Sequence, residues 1–280
     1  MELEPGGKRN GSPQRPIDPP VITVISICRN ALSDLRETVE SVLAQGYPRL
    51  EYWIVDGAST DGTPDYLLTL ADRGVRFVSE PDRGISDAMN KGVRLATGEL
   101  VAHLHTGDRY LVGALDAVAR AYRREPADVL CGAMRKREGN TEVVYHAAPD
   151  RLPHDMTIHH PATFTRRALF EQHGGFDGTL KNAMDYEFFL RLLIAGARFR
   201  ALPEPLVAVA AGGQSDRSLW ETLRETHAAR RRLLRSGLQR TGAYLLLLYA
   251  RGLARRGLQR AGLAGLAARL RRRYALAPKD

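Results

Sequence analysis

The chain has 280 residues, 44% of them hydrophobic, enough to bury one large core or two smaller ones. Its two cysteines, Cys28 and Cys131, lie far apart in apolar runs, which argues against a disulfide framework and fits a reducing cytoplasm. The net charge of +9 belongs to one region: from Arg217 onward 16 Lys/Arg face 3 Asp/Glu, a net of +13, while residues 1–216 carry 25 against 29, a net of −4. The body is therefore not marked as a nucleic-acid binder.

Residues 1–20 are rich in Pro, Gly and polar residues without periodicity and read as a disordered leader. Met1-Glu2-Leu3-Glu4 has neither a basic nor an apolar stretch, so no signal peptide is expected. The longest apolar run, Ala243 to Ala250, falls short of the roughly 20 residues that span a bilayer.

Val21 to Ile27 is β-branched and almost wholly apolar, the pattern of a strand buried on both faces. A helix is expected over Ser33–Gln45, with Ser33 as N-cap. Strands at 51–56, 75–79, 100–104 and 128–131 alternate with helices at 61–72, 85–96 and 112–123. That alternation predicts βαβ units in a mainly parallel sheet. After Gly132 the pattern loosens into an added strand at 141–145 and a polar connection over 150–163. A strong helix at 185–195 and a short strand at 206–209 follow, and from Leu219 the chain is helical and arginine-rich.

Ligands of parallel α/β sheets bind beyond the carboxyl ends of the strands, so the polar residues that follow each strand carry the information. Asp56 ends the second strand and leads into Gly57-Ala58-Ser59-Thr60-Asp61-Gly62-Thr63. Its carboxylate could accept hydrogen bonds from a nucleobase or ribose, or simply cap the turn. Beyond the third strand runs Ser79-Glu80-Pro81-Asp82-Arg83-Gly84-Ile85-Ser86-Asp87-Ala88-Met89-Asn90-Lys91-Gly92. Asp87, Asn90 and Lys91 share a helix face, where Lys91 could neutralise a phosphate and Asp82 and Asp87 could hold a ribose or base. The fourth strand leads into His105-Thr106-Gly107-Asp108, where a carboxylate could hold a divalent cation against a diphosphate. His105 could serve as a ligand, although a loop histidine more often is neither ligand nor base.

Together these segments resemble the family 2 glycosyltransferases, most nearly the branch that builds bacterial exopolysaccharides and glycolipids, colanic acid included. The resemblance spans about Val21 to Ser215. It implies a GT-A fold (Rossmann-like, with a mainly parallel central sheet flanked by helices), a nucleotide diphosphate sugar donor, Mg²⁺ or Mn²⁺, and inversion at the anomeric carbon. Carried over to this sequence, it implies that Asp56 contacts the nucleoside and that Asp108 is the last acid of a metal-binding Asp-x-Asp region. His105 and Gly107 stand where many members carry acids. Asp185, in Lys181-Asn182-Ala183-Met184-Asp185-Tyr186-Glu187, matches the general base, with Glu187 second; a helix N-cap is the plainer alternative. His160 and the Gly212-Gly213-Gln214-Ser215 loop match segments that close over donor or acceptor.

The resulting division is a leader over 1–20, a GT-A domain over 21–216 and a basic helical extension over 217–280. The extension reads either as a dock on an anionic membrane face, where a lipid-linked acceptor is found, or as helices packed on the body or a subunit. Nucleic acid is not an expected partner, because aromatics are not interleaved with the arginines. The expected activity is transfer to a saccharide or lipid-linked acceptor, at a cytoplasmic, membrane-peripheral location. The alternatives are a sugar nucleotidyltransferase, whose Gly-rich loop is replaced here by Cys28-Arg29-Asn30-Ala31, and a non-catalytic protein of the same fold. The chain has neither a P-loop nor Gly-x-Gly-x-x-Gly.

Overall fold

The computed structural model of the protein describes residues 18–138, 141–209 and 218–260. Nearly all of the expected leader, the Gly213 loop and the last 20 residues lie outside these.

The parallel core forms as the alternation predicts. Strands β1 (Ile22–Cys28), β2 (Leu50–Asp56), β3 (Val75–Ser79) and β4 (Leu100–His103) pair in parallel in the order β3-β2-β1-β4. Helices α1 (Leu32–Leu43), α2 (Thr63–Leu68) and α3 (Ile85–Leu95) join them. Because side chains alternate across a strand, β1 serves two cores. Ile22 and Val24 pack with Leu35, Val39 and Val42 of α1 on one face, while Ile25 packs with Met89 of α3 on the other. Gly92 lets α3 lie close to β1, since a Cβ there would collide with the Ile25 side chain.

The second half departs from simple βαβ repetition. After the two-residue β5 (Arg109–Tyr110) and α4 (Ala114–Arg124), β6 (Val129–Glu138) does not pair with β4. Strand β8 (Thr163–Arg166) inserts between them, antiparallel to both. It falls within and beyond the expected 150–163 connection, and α5 (Arg167–His173) follows it directly; the sequence reading contained neither element. Strand β7 (Thr141–Tyr145) is an antiparallel partner of β6. Helix α6 (Met184–Ile194) leads to β9 (Phe199–Val209), which is longer than expected because it pairs with β6 on one side and β5 on the other. The whole is an α/β GT-A-like fold with a curled, mixed sheet in which the parallel strands β3-β2-β1-β4 form one end.

Two helices follow, α7 (Leu219–Leu233) and α8 (Gly242–Arg260). Helix α7 packs on the face that carries α6, burying Thr226, Ala229 and Arg230. Trp220 of α7 meets Tyr249 of α8 edge-on at 4.9 Å. Among the described residues no helix is long and apolar enough to cross a membrane. Cys28 and Cys131 are both free and buried.

Candidate functional site

The strand ends of the parallel core meet at Asp56. Cys28, Asp56 and Ser79 are register neighbours at the ends of β1, β2 and β3. The buried Asp56 carboxylate accepts the Ser59 N–H (3.1 Å), the Ser79 hydroxyl (2.6 Å), the Cys28 thiol (3.6 Å) and the Ser59 hydroxyl. Four donors fill the roughly four lone-pair positions of a carboxylate. A ligand reaching Asp56 must therefore compete with donors already bound there, and the same bonds tie three strand ends together. Burial and the Asp56 charge push the Cys28 thiol far up, so it stays protonated.

The β1–α1 loop is stitched to the β2–α2 loop by residues the sequence reading did not single out. Asn30 donates its N–H to Ser59 Oγ (2.7 Å) and accepts the Thr60 N–H at Oδ1 (2.7 Å). Asp61 accepts the N–H groups of Leu32 (3.2 Å) and Thr63 (3.1 Å). It thus caps α1 from a distant loop, and Ser33 is exposed rather than the expected N-cap. Asn30 (φ 49°) and Ala58 (φ 55°) both sit in the left-handed region, which non-glycine residues rarely adopt and which clusters at functional sites.

Asp82 reaches directly over Gly57, where a Cβ would collide with Asp82 Oδ2; its other oxygen accepts the Gly84 N–H at 2.8 Å. Asp87 accepts the Arg83 N–H (3.1 Å), which, with the Arg83 guanidinium, holds its carboxyl below the usual range. Lys91 donates to the Pro81 carbonyl (2.7 Å) and pairs with Glu80 (2.9 Å). Asp87 and Lys91 therefore shape the loop that presents Asp82. Asn90 faces elsewhere: its amide takes and gives hydrogen bonds with the Phe176 backbone, both at 2.8 Å. The shared helix face is real, but it docks partly on the loop before α6.

The turn after β4 is held by α1. The buried Thr38 hydroxyl donates to the Asp108 carbonyl (2.9 Å) and accepts the Gly107 N–H (3.0 Å). Asp108 is buried, and His105 partly so. His105 belongs to a cluster: its ring lies 5.4 Å from that of His160, and His160 lies 5.3 Å from His103. Burial lowers the imidazoles of His105 to about 4 and His103 to about 3, and that of His160 well below 6.5, so all three are neutral. Phe176 and Phe189 flank His160, so the cluster joins the β4 end to α6.

Asp185 stands in the first turn of α6. Its carboxylate accepts the Tyr186 N–H (2.7 Å) and has no cationic partner among the described residues. Burial pushes it up to about 6. Glu187, by contrast, is clasped by Arg191 (3.0 Å) and Arg232 (2.8 Å). Of the two acids, Asp185 is the one without an arginine partner among the described residues. Ser86 at the start of α3 donates to the Leu180 carbonyl (3.2 Å), holding this segment against the strand-end loops.

Among the described residues, no group of three or more His, Cys, Asp or Glu could cage a metal. What the β4 end does offer is one buried carboxylate, Asp108, and one neutral imidazole, His105.

Comparison with known proteins speaks to the family and the fold. The profile of Glycosyl transferase family 2 matches residues 23–187. An uncharacterized glycosyltransferase of Mycobacterium tuberculosis is 35% identical over 181 residues, 61% of this chain and 68% of the relative. A PGL/p-HBAD biosynthesis glycosyltransferase of the same organism is 32% identical over 177 residues, 61% and 69% of the two chains. Among solved structures, S. aureus TarS in complex with UDP-GlcNAc superposes with a TM-score of 0.63 at 20% identity, covering 83% of this chain and 71% of that one. The mannosyltransferase PcManGT from Pyrobaculum calidifontis, with GDP-Man and Mn²⁺, gives 0.63 at 23% identity, covering 90% and 74%. At these identities the structures speak to the fold, while the profile and the sequence relatives speak to descent: this chain belongs to glycosyl transferase family 2.

Proposed function

We propose that the protein transfers a sugar from a nucleotide diphosphate to a hydroxyl of a saccharide or lipid-linked acceptor, with inversion at the anomeric carbon. The observation that carries this is the Asp185 carboxyl, without a cationic partner among the described residues and pushed up to about 6 at the start of α6. A base poised there takes the acceptor proton as the hydroxyl attacks the anomeric carbon opposite the departing diphosphate. A single displacement needs no enzyme nucleophile, and the buried, protonated Cys28 offers none.

In this reading the nucleoside lies over the β2 and β3 ends. Asp82 is its first contact, Asp56 fixes the strand ends beneath it, and Asp87 and Lys91 set the loop. Asp108, with His105 beside it, would hold Mg²⁺ or Mn²⁺, which when bound supplies positive charge against the diphosphate. His160 and Gly213 are assigned to the loops around donor and acceptor. The PGL/p-HBAD relatives support a glycolipid acceptor. We place the protein on the cytoplasmic side of a membrane; the peripheral part of that reading is supported by α8, which exposes Leu246, Leu247 and Leu253 beside Arg251 within the region of net charge +13. Exposed apolar residues among arginines suit an anionic lipid face.

The test is release of nucleotide from a panel of UDP-, GDP- and dTDP-sugars with Mn²⁺, with EDTA, and in Asp108→Ala. Metal-dependent turnover of one donor, lost in the variant, is the expected result. No binding or turnover of any donor, with lipid extract supplied as acceptor, would favour a non-catalytic protein of this fold.

A further inference from the structure

The basic region begins with α7, and its polar side chains converge on the helix that carries Asp185. The Glu225 carboxylate accepts the backbone N–H groups of Lys181 (3.1 Å), Asn182 (2.8 Å) and Ala183 (3.0 Å). These lie at the amino end of α6, where a helix leaves N–H groups without intrahelical acceptors, and Ala183 at the N-cap offers no side-chain acceptor. A carboxylate there also complements the helix dipole.

Two arginines one and two turns further along α7 hold the other side of Asp185. Arg230, fully buried, donates to the Tyr186 hydroxyl (2.9 Å) and the His154 carbonyl (3.0 Å). Arg232 bridges Glu187 (2.8 Å) and Asp177 (3.0 Å). Residues 181–183 before Asp185 and 186–187 after it are thus bound from α7. A helix that merely covered an apolar face would need only Ala229 and its neighbours; these charged contacts have a more particular target.

We propose that Glu225, backed by Arg230 and Arg232, is a positioning residue for the transfer. It fixes the first turn of α6 and so the direction in which the Asp185 carboxylate meets the acceptor hydroxyl. This rests on the reading of Asp185 as the base.

The experiment uses the full chain, the sugar-nucleotide panel above, and the variants Glu225→Ala, Glu225→Gln and Asp185→Asn. Misplacing a catalytic group slightly costs up to about a hundredfold, so Glu225→Ala is expected to lower kcat by about ten- to a hundredfold. Its affinity for UDP, GDP or dTDP by calorimetry should stay within about twofold, since nucleotide is bound elsewhere. Glu225→Gln keeps one carbonyl acceptor and should recover most of the rate. It also covers the case in which the alanine variant does not fold. In the Asp185→Asn background Glu225→Ala should cost nothing further, because two residues acting as one unit are not additive. Wild-type kcat in Glu225→Ala beside an inactive Asp185→Asn overturns the positioning role alone. A full additional loss in the double variant does the same. Undiminished turnover in Asp185→Asn overturns the base assignment and this proposal with it.

Discussion

The two sides of the site are built by different means. At the ends of β1, β2 and β3 the polar groups satisfy one another over short loops: Asp56 with Ser59 and Ser79, Asn30 with Ser59 and Thr60, Asp61 with two helix starts. Around α6 the contacts come from far along the chain, as with Glu225 on Ala183 and Arg230 on Tyr186. The first side is a cross-linked cradle in which four donors fill the Asp56 carboxylate. The second holds one acid, Asp185, that has no cationic partner among the described residues and has a raised pKa. Saturation suits a surface that binds the same way each time, and an under-satisfied carboxylate suits a group that must gain and lose a proton.

Variants that separate the two sides sharpen this contrast. The largest effect is expected from Asp185→Asn, which should lower transfer by about 10²–10⁴-fold, the usual worth of a general base. In the wild type, kcat/KM should fall as pH drops through about 6, because the protonated carboxyl cannot accept the hydroxyl proton. A flat profile from pH 5 to 8 (a range of about three units around that value) would exclude Asp185 as the group that titrates. The same raised pKa is a cost to the folded state that is fully present above about 6 and relieved as pH falls. Asp185→Asn should therefore melt higher than wild type at neutral pH.

On the cradle side, Gly57→Ala pushes a Cβ into Asp82. Donor KM should rise about tenfold, close to one charge-assisted hydrogen bond, with kcat little changed. An unchanged KM would remove Asp82 from the donor site. Smaller again is a contrast in stability at Arg230. Arg230→Ala should cost about 2–4 kcal/mol through an emptied volume and lost hydrogen bonds, as judged by chemical denaturation. Arg230→Met should cost less, because its side chain refills much of the emptied volume, while in either variant Tyr186 still donates to the Leu152 carbonyl and His154 still accepts from Tyr244. A pH-dependent effect on stability is expected in acid. Burial holds the imidazoles of His103 (about 3) and His105 (about 4) below their ordinary value of 6.5, so unfolding takes up protons. Stability should decline as pH falls from about 6.5 toward 4, and replacing His105 with Gln should flatten part of that decline.

Legibility in the sequence follows the same division. The strand–helix alternation from Val21 to Leu104 is local and periodic, and it is what the fold contains. Asp56, Asp82 and Asp108 were visible as acids at strand ends because topology alone puts such residues there. Whether each is saturated was not visible: Asn90 shares a face with Asp87 and Lys91, yet Phe176, 86 residues on, claims its amide. Strand β8 was missed because Thr163–Arg166 is short and lies beside a proline-containing turn, and its two partners are far away in sequence. The arginine-rich stretch suggested a charged surface, but Arg230 is fully buried, and composition cannot say which arginine of three turns inward. Glu225 gave no signal at all, since its acceptor role depends on N–H groups 42 to 44 residues away.

The most direct test of a binding side and a chemical side is calorimetric titration of UDP, GDP and dTDP into Gly57→Ala and Asp185→Asn. The account predicts that the preferred nucleotide binds Asp185→Asn with a Kd within about twofold of wild type and Gly57→Ala about tenfold more weakly. The reverse pattern, with affinity lost in Asp185→Asn and kept in Gly57→Ala, would contradict it.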